Sequence, residues 1–572
     1  MNMKFITRYL PLALLTISLG TACKKYVDVT NPDTLTDPGF WKNENNVRAY
    51  SWEFYNAFPG FGNGSSLNGD FYFPSLTDDQ APVGFTQFPQ TTAVSNNDWG
   101  TSTYTSTVPV FTSFGYIRKA NIMLDRIDAV DMAVEAKNHW KGIGRFFRAL
   151  EYFKLVQEFG GVPWYSHAAD ISDSNQIYKP RDPRQLVMDS VLADINSAVT
   201  NLRQVDQVNT INKDVALALK SRICLYEGTY RKYHTELNLP DADKYLSQAM
   251  DAAQTLMNSG TYALDKSYQT AYNSDDLSKD KEMIMYKKYV VSVLSHSLIA
   301  YLYSSSAMNG PTKGAIESYL CSDGQPITLS PLYKGDATLP NVVANRDKRL
   351  YITIDTSHLV YTGHVYNVFS SSTGYRPVKF LPDSNTLKTI PTGIATNVTD
   401  APLFWLAEVY LNYAEAAAEL EDMGKYTLTQ ADLDNTINKL RARGGVASLT
   451  LTYLHDPTKA DPKKDAELSS TIWEIRRERR IELMMDGFRF QDIMRWKKGN
   501  YMDSQKNPDS FLGAKVPANG SIRLNASGYI MPYPASSQRV FADPKNYLSA
   551  IPTNQISLYP TAIQASMQNP GW

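Results

Sequence analysis

The sequence predicts a mainly α fold, a body of helix-turn-helix repeats of tetratricopeptide type broken by long irregular loops. Three observations carry this. Apolar residues recur at i, i+3, i+4 spacing over five successive stretches between about 117 and 256. Those stretches lie about 25–35 residues apart, the period of paired-helix repeats. The periodicity fails from Tyr262 to about Asp400 and then returns.

Taken in order, Ile117, Ala120, Asn121, Leu124 and Ile127 share one helical face. Phe146, Ala149, Leu150, Phe153 and Val156 share the next, and Gly160-Gly161-Val162-Pro163 stops that helix. Asp182-Pro183 opens a third, with Leu186, Val187, Val191, Ile195, Ala198 and Leu202 on one side. Val215, Leu219, Ile223 and Tyr226 mark a fourth. Leu246, Ala249, Ala253 and Leu256 mark a fifth, ended by Gly260. Helical patterns resume over Phe404–Leu420, Gln430–Arg443 and Ser469–Trp496, and the tail from Asn500 reads as loop. Residues 55–107 are punctuated by Gly, Asn, Ser and Thr and read as irregular. The central insertion, about 262–400, is rich in Tyr, Ser, Gly and Pro, with β-like runs at Tyr351-Ile352-Thr353-Ile354 and at His364 to Phe369. Loops of that length in a compact protein are usually functional.

The 572 residues allow a large core, and 43% hydrophobic with 20% charged residues is an ordinary globular composition. A net charge of -1 gives no electrostatic case for nucleic acid. Aromatics reach 12%, with 36 Tyr, which supplies rings both for a core and for a surface that stacks on sugars. The three cysteines, Cys23, Cys224 and Cys321, do not form a disulfide framework. Cys224 reads as a small buried apolar residue.

Residues 1–22 read as a lipoprotein signal peptide. Lys4 and Arg8 precede an apolar run from Leu10 to Leu19, then Gly20-Thr21-Ala22 and Cys23. The run is too short to span a bilayer as a mature helix. Cys23 sits where a lipobox cysteine is acylated, although Gly20 stands where Leu is favoured. Residues 23–45 form the lipidated tether, and 46–572 a single domain of helical repeats with its loop-rich insertion.

Several ordered blocks resemble the SusD/RagB family. They include Ile117 to Asn121, Arg145 to Phe153, Asp323-Gly324-Gln325-Pro326, Arg346 to Leu350, Ala407 to Ala416, Asn438 to Gly445, Arg477 to Leu483 with Gly487-Phe488-Arg489, and Tyr547 to Pro552. The family often carries Arg two places before Ala407, where this chain has Trp405, a difference that bears on a local ion pair and not on the assignment. The resemblance implies about four tetratricopeptide-like helix pairs with loops building the ligand face. It implies cell-surface binding of oligosaccharide or polysaccharide and delivery to a SusC-like TonB-dependent transporter. It places the protein at the outer membrane on a lipid anchor. The alternatives are capture of peptide or another non-glycan nutrient, or a structural transporter lid that does not touch substrate.

Sugar recognition needs flat rings beneath C–H faces, with amides or carboxylates for the hydroxyls. Loop aromatics beside polar residues are therefore the candidates. Trp99, after Asn96-Asn97-Asp98, is the first choice, followed by Tyr72 with the Asp78-Asp79 pair, and by Tyr303 and Tyr366; Tyr301 and Tyr361 lie close by in the chain. The Arg477–Glu482 cluster reads as an ion-pair network locking the last helices, and Glu408 and Glu415 read the same way. No metal-binding, nucleophile-elbow or phosphate-loop motif is present, so neither an enzyme nor a cofactor is predicted.

Overall fold

The computed structural model describes residues 37–74, 76–90, 113–170, 172–303, 307–361, 370–383, 385–518 and 522–572. The signal segment, Cys23, Trp99 and Tyr366 lie outside them. The architecture is mainly helical. The elements used below are α1 (Glu44–Ser51), α2 (Ser113–Arg126), α3 (Val134–Phe159), α4 (Arg184–Asn201), α5 (Lys213–Tyr233), α6 (Ala242–Asn258), α7 (Leu298–Tyr303), α8 (Lys348–Thr353), α9 (Leu406–Asp422), α10 (Gln430–Asn435), α11 (Ile437–Gly444), α12 (Ser470–Glu482) and α13 (Arg489–Arg495). The strands are β1 (Gln80–Ala81), β2 (Met283–Lys287), β3 (Ala307–Met308), β4 (Gly310–Pro311), β5 (Ser370–Ser371) and β6 (Ala401–Trp405).

Successive helices pack as α2 on α3, α3 on α4, α4 on α5 and α5 on α6. The helix that completes the row beside α6 is α9, which arrives only after the long insertion. α12 then packs on α9. The spacing is set by small residues at the crossings. A Cβ at Gly144 would stand 3.1 Å from Leu124 of α2, and one at Gly142 would stand 3.0 Å from Leu202 at the end of α4. Caps fix the helix starts: Asn212 accepts from Val215 N at 3.0 Å to open α5, and Thr429 with Asp432 forms a capping box on α10. One continuous apolar core runs from Trp41 to Met567, and a smaller one lies around Phe88, Ile493 and Phe541.

Four expectations need correction. The Tyr351–Ile354 run is not β: Asp347 accepts from Arg349 N at 2.9 Å and caps α8, so a local bond overrides the β-branched composition. The Phe404–Leu420 pattern begins as strand, because β6 pairs antiparallel with β2 before α9 starts. Ser469–Trp496 is two helices, because Met485 (φ 63°) and Gly487 (φ 86°) turn the chain between them. A Cβ on Gly487 would lie 2.2 Å from Asp70 O, so the chain at 70 passes directly over this turn. Helical structure also begins earlier than expected, with a helical turn at Asp37–Phe40, α1 over Glu44–Ser51 and a 3₁₀ turn over Trp52–Ala57.

The signature blocks converge on buried charge. Arg349 pairs with Asp347 and Glu478 at 2.6 Å and with Glu482 at 2.7 Å. Arg443 bridges Glu282 at 2.6 Å and Glu482. Arg495 holds Glu415 at 2.6 Å, and Arg479 holds Asp492 at 2.8 Å. Glu408 takes its cation from α5, where Arg222 lies 2.7 Å away and also over the Phe404 ring at 4.3 Å. Trp405 itself is buried against Phe71 and Phe488. These groups lock α8, α9, α11, α12 and α13 together. Losing one partner of such a pair would strand the other in a dry interior.

Candidate functional site

The loop-rich face is assembled from four distant segments. β1 pairs with β4 antiparallel, and β3 pairs with β5 in parallel. Ser372 joins the two ladders: its Oγ donates to Ala81 O at 2.6 Å and accepts from Gly310 N at 3.0 Å. The fourth segment closes against them through Ala514 N to Thr373 O at 2.8 Å and Tyr533 Oη to Pro82 O. Two glycines make this approach possible. A Cβ on Gly310 would stand 2.1 Å from Thr373 Oγ1, and one on Gly513 would stand 2.2 Å from Thr373 O.

Rings gather on these segments. Tyr303, at the end of α7, is 38% exposed, and Phe85, beyond β1, is also 38% exposed. Phe85 is braced edge-on by Tyr533, with centroids 5.2 Å apart. Tyr301 is half-buried and meets Phe73 edge-on at 5.9 Å. Polar groups stand among them. Arg376 Nη2 donates to Leu302 O at 3.4 Å, and its Nη1 lies 3.9 Å from Asp355. Burial pulls the Arg376 guanidinium below its usual range, with Asp355 opposing. Aromatic rings with a guanidinium, a carboxylate and amides are the group types that stack on and bond a sugar.

Of the residues singled out in sequence, Tyr303 is the candidate ring that stays partly exposed, at the end of α7. Tyr361 is buried, its ring 3.7 Å from where a Cβ on Gly374 would stand. Tyr72 and Asp79 require correction as ligand contacts, because both side chains are buried and engaged. Tyr72 is 3% exposed, and its Oη donates to Asn309 O at 3.3 Å. Its amide donates to Met485 O at 2.7 Å in a left-handed conformation. It therefore supports the face from below: Asn309 in turn accepts from Val83 N at 3.0 Å, two residues before Phe85.

Asp78 and Asp79 form a clamp. Asp78 accepts two bonds from Arg489 at 2.7 Å each, and Asp79 accepts from Arg480 at 2.7 Å. Burial alone would raise the Asp78 carboxyl, but Arg480 and Arg489 outweigh it and hold it at about 2. Asp79 goes the other way: burial, with repulsion from Asp78, exceeds the pull of the two arginines. Thr312 completes the clamp, with Oγ1 donating to Asp78 O at 2.6 Å and N donating to Asp79 O at 2.9 Å. The pair thus fixes the β1–β4 base to α12 and α13.

Phe85 was not singled out from the sequence. Its signal was present in Pro82-Val83-Gly84-Phe85, an aromatic in a turn with no apolar period to bury it. A shallow depression of about 530 Å³ on α4, walled by Pro183, Leu186, Asp189 and Ala193 among others, has no aromatic ring in its wall and does not suit stacking.

The comparisons with known proteins agree with this architecture. Residues 300–572 match the model of the SusD family. Residues 68–225 match a family described as starch-binding, associating with outer membrane. A SusD-like protein of Formosa agariphila is 26% identical over 227 residues, 39% of this chain, and the match spans only 43% of that relative. Among solved structures, a SusD-like carbohydrate-binding protein of Bacteroides fragilis superposes with a TM-score of 0.68 at 21% identity, covering 91% of this chain and 99% of that one. A laminarin-binding SusD-like protein superposes with a TM-score of 0.54 at 19% identity, covering 93% and 100%. At such identities the superpositions speak to the fold. The two family matches, in order along one chain with this helical body, carry the assignment: the chain belongs to the SusD/RagB family.

Proposed function

We propose that this protein binds oligosaccharide or polysaccharide at the surface of the outer membrane and passes it to a SusC-like TonB-dependent transporter, without turning it over. The observation that carries the reading is the exposed aromatic face, with Tyr303 and Phe85 on segments tied through Ser372 and with Arg376 beside α7. The family description as starch-binding and the laminarin-binding and carbohydrate-binding neighbours support the glycan class. Trp99 and Tyr366 are proposed, from the sequence, as further ring contacts to the glycan. Removal of residues 1–22 and acylation of Cys23 would anchor the single domain to the membrane.

Affinity gels and calorimetry test the reading, with starch, laminarin and a wider glycan panel and a peptide panel alongside. A glycan retained by the wild type and lost in Tyr303→Ala or Phe85→Ala supports it. Retention of peptides with no glycan bound would turn the reading to peptide capture. Cleavage of a bound glycan by the purified protein would defeat the claim of binding without turnover.

A further inference from the structure

The protein presents a second exposed surface whose residues the glycan reading does not use. Six large apolar residues stand out from it: Trp52, Val134, Val205, Val208, Val291 and Val293. Four of them are more than 70% exposed among the described residues: Val208 at 87%, Val293 at 81%, Val205 at 77% and Val134 at 74%. Single exposed valines are ordinary, but a group on neighbouring tips is not.

These tips are neighbours because their bases are bonded to one another. Arg203 pairs with Glu135 at 2.9 Å, which brings the start of α3 to the 203–209 loop. Arg203 also pairs with Glu44 at 2.9 Å, and Arg48 pairs with Asp206, so α1 lies against the same loop. Tyr55 Oη accepts from Ile211 N at 2.9 Å, and Trp52 packs on Tyr55 with centroids 5.3 Å apart. Asn209 clips the loop to β2, donating to Tyr286 O at 2.8 Å and accepting from Tyr286 N at 3.1 Å. β2 runs into a tight turn closed by the Val290–Leu294 bridge, with Ser292 in the left-handed region, and Val291 and Val293 stand on that turn. Paired charges thus sit at the base of the surface and valines at its tips.

The position of α1 says what covers this surface. The described chain begins with a helical turn at Asp37–Phe40, and Trp41 then packs on Tyr50 of α1 with centroids 4.8 Å apart. Cys23 lies 14 residues upstream, at most about 50 Å of fully extended chain. Acyl chains on Cys23 would therefore keep a lipid surface within reach of the side of the molecule where α1 and the valine tips lie. Apolar tips beside a cluster of paired charge match the boundary between headgroups and acyl chains, where shallow burial of apolar side chains adds to a covalent anchor.

We infer that the Trp52, Val134, Val205–Val208 and Val291–Val293 surface rests on the lipid of the membrane that carries the anchor, and so fixes which way the glycan face points. The inference depends on the lipid-anchor part of the proposed function and not on its glycan part.

The test uses the acylated full chain in vesicles of phosphatidylethanolamine and phosphatidylglycerol. A polarity-sensitive dye is placed at Val293→Cys or, as the comparison, at Leu558→Cys, an exposed site on the C-terminal segment. Cys224 and Cys321 are buried and do not compete for label. Acyl-brominated lipid should quench the dye at 293 several-fold more than the dye at 558, and Val208→Asp in the same chain should reduce that quenching. Equal quenching at the two sites, with Cys23 acylated and glycan binding intact, overturns the inference. Shielding of the 293 dye that appears without vesicles and grows with protein concentration also overturns it, because a second copy is then the occupant. Absence of acyl mass on Cys23 removes the anchor and this inference with it, while glycan binding in the affinity gel would stand unaffected.

Discussion

Replacing Asp78 by Asn probes how the aromatic face is held. The carboxylate takes two 2.7 Å bonds from Arg489 and lies 3.1 Å from Arg480 Nη2, with all three groups nearly out of water. Asn keeps the shape and neutralises neither guanidinium. Stranding a buried partner costs about 3–5 kcal/mol. A second route gives a similar figure: a carboxyl held at about 2, against about 3.9 in the unfolded chain, contributes about 2.6 kcal/mol at neutral pH. Unfolding entropy of about 2.1 cal/mol/K per residue over 572 residues is about 1.2 kcal/mol/K, so a loss of about 3 kcal/mol lowers Tm by about 2.5 °C. The sign with pH follows from a depressed folded pKa. The contribution is complete above about pH 4 and is lost as pH falls toward 2. Calorimetry at pH 7 should therefore give a clear Tm gap between wild type and Asp78→Asn, and the gap should narrow below about pH 4. Glycan retardation should also weaken, because residues 82–85 follow directly from the clamp. An unchanged Tm at pH 7, or a gap that stays constant down to pH 3, would refute the reasoning.

Other outcomes follow from the same geometry. Tyr303→Ala should weaken glycan binding by about three- to ten-fold, the worth of one stacked ring, with Tm unchanged in a thermal shift. Gly310→Ala drives a methyl onto Thr373 and Ser371 and should cost about 1–3 kcal/mol, with glycan affinity in calorimetry falling alongside Tm. His296 is pushed down to about 3 and His139 to about 4, chiefly by burial. The unfolded chain protonates these rings first, so stability should fall as pH drops from about 6.5 toward 4. Denaturant titrations of His296→Gln should lose part of that slope.

The helical body was legible because its signal is local. Phe146, Leu150 and Phe153 repeat with the period of the helix they build, and that period survives without knowledge of the partner helix. Where a bond between distant residues decides the outcome, the sequence misleads. Ser469 to Trp496 reads as one helix until Asp70 O occupies the space above Gly487. Tyr72 and Asp79 had the surroundings of ligand contacts, loop residues among turn formers, yet Met485, Asn309 and Arg480 claim them from far along the chain. The ion-pair reading of Arg477–Glu482 needed no such knowledge, because charges repeated on one helix must find partners. Tyr303 keeps its ring partly exposed at the end of α7, whereas the exposed ring of Phe85 depends on Tyr533 to brace it.

The Asp78–Arg489 clamp has a consequence for the order in which the molecule is made. Its partners are 411 residues apart in sequence, and those of Asp79–Arg480 are 401 apart. The α2-to-α6 row closes through neighbours, while the β1–β4 base must wait for α12 and α13 to emerge and dock. Contacts this distant are reached late, because their loop-closure entropy is met only after local structure has formed. The aromatic face should thus be the last part of the protein to mature, after the scaffold beneath it is already protected. Pulsed hydrogen exchange during refolding would see amides of α3 and α5 shielded before those of 77–81, and the opposite order would show that the clamp nucleates the fold.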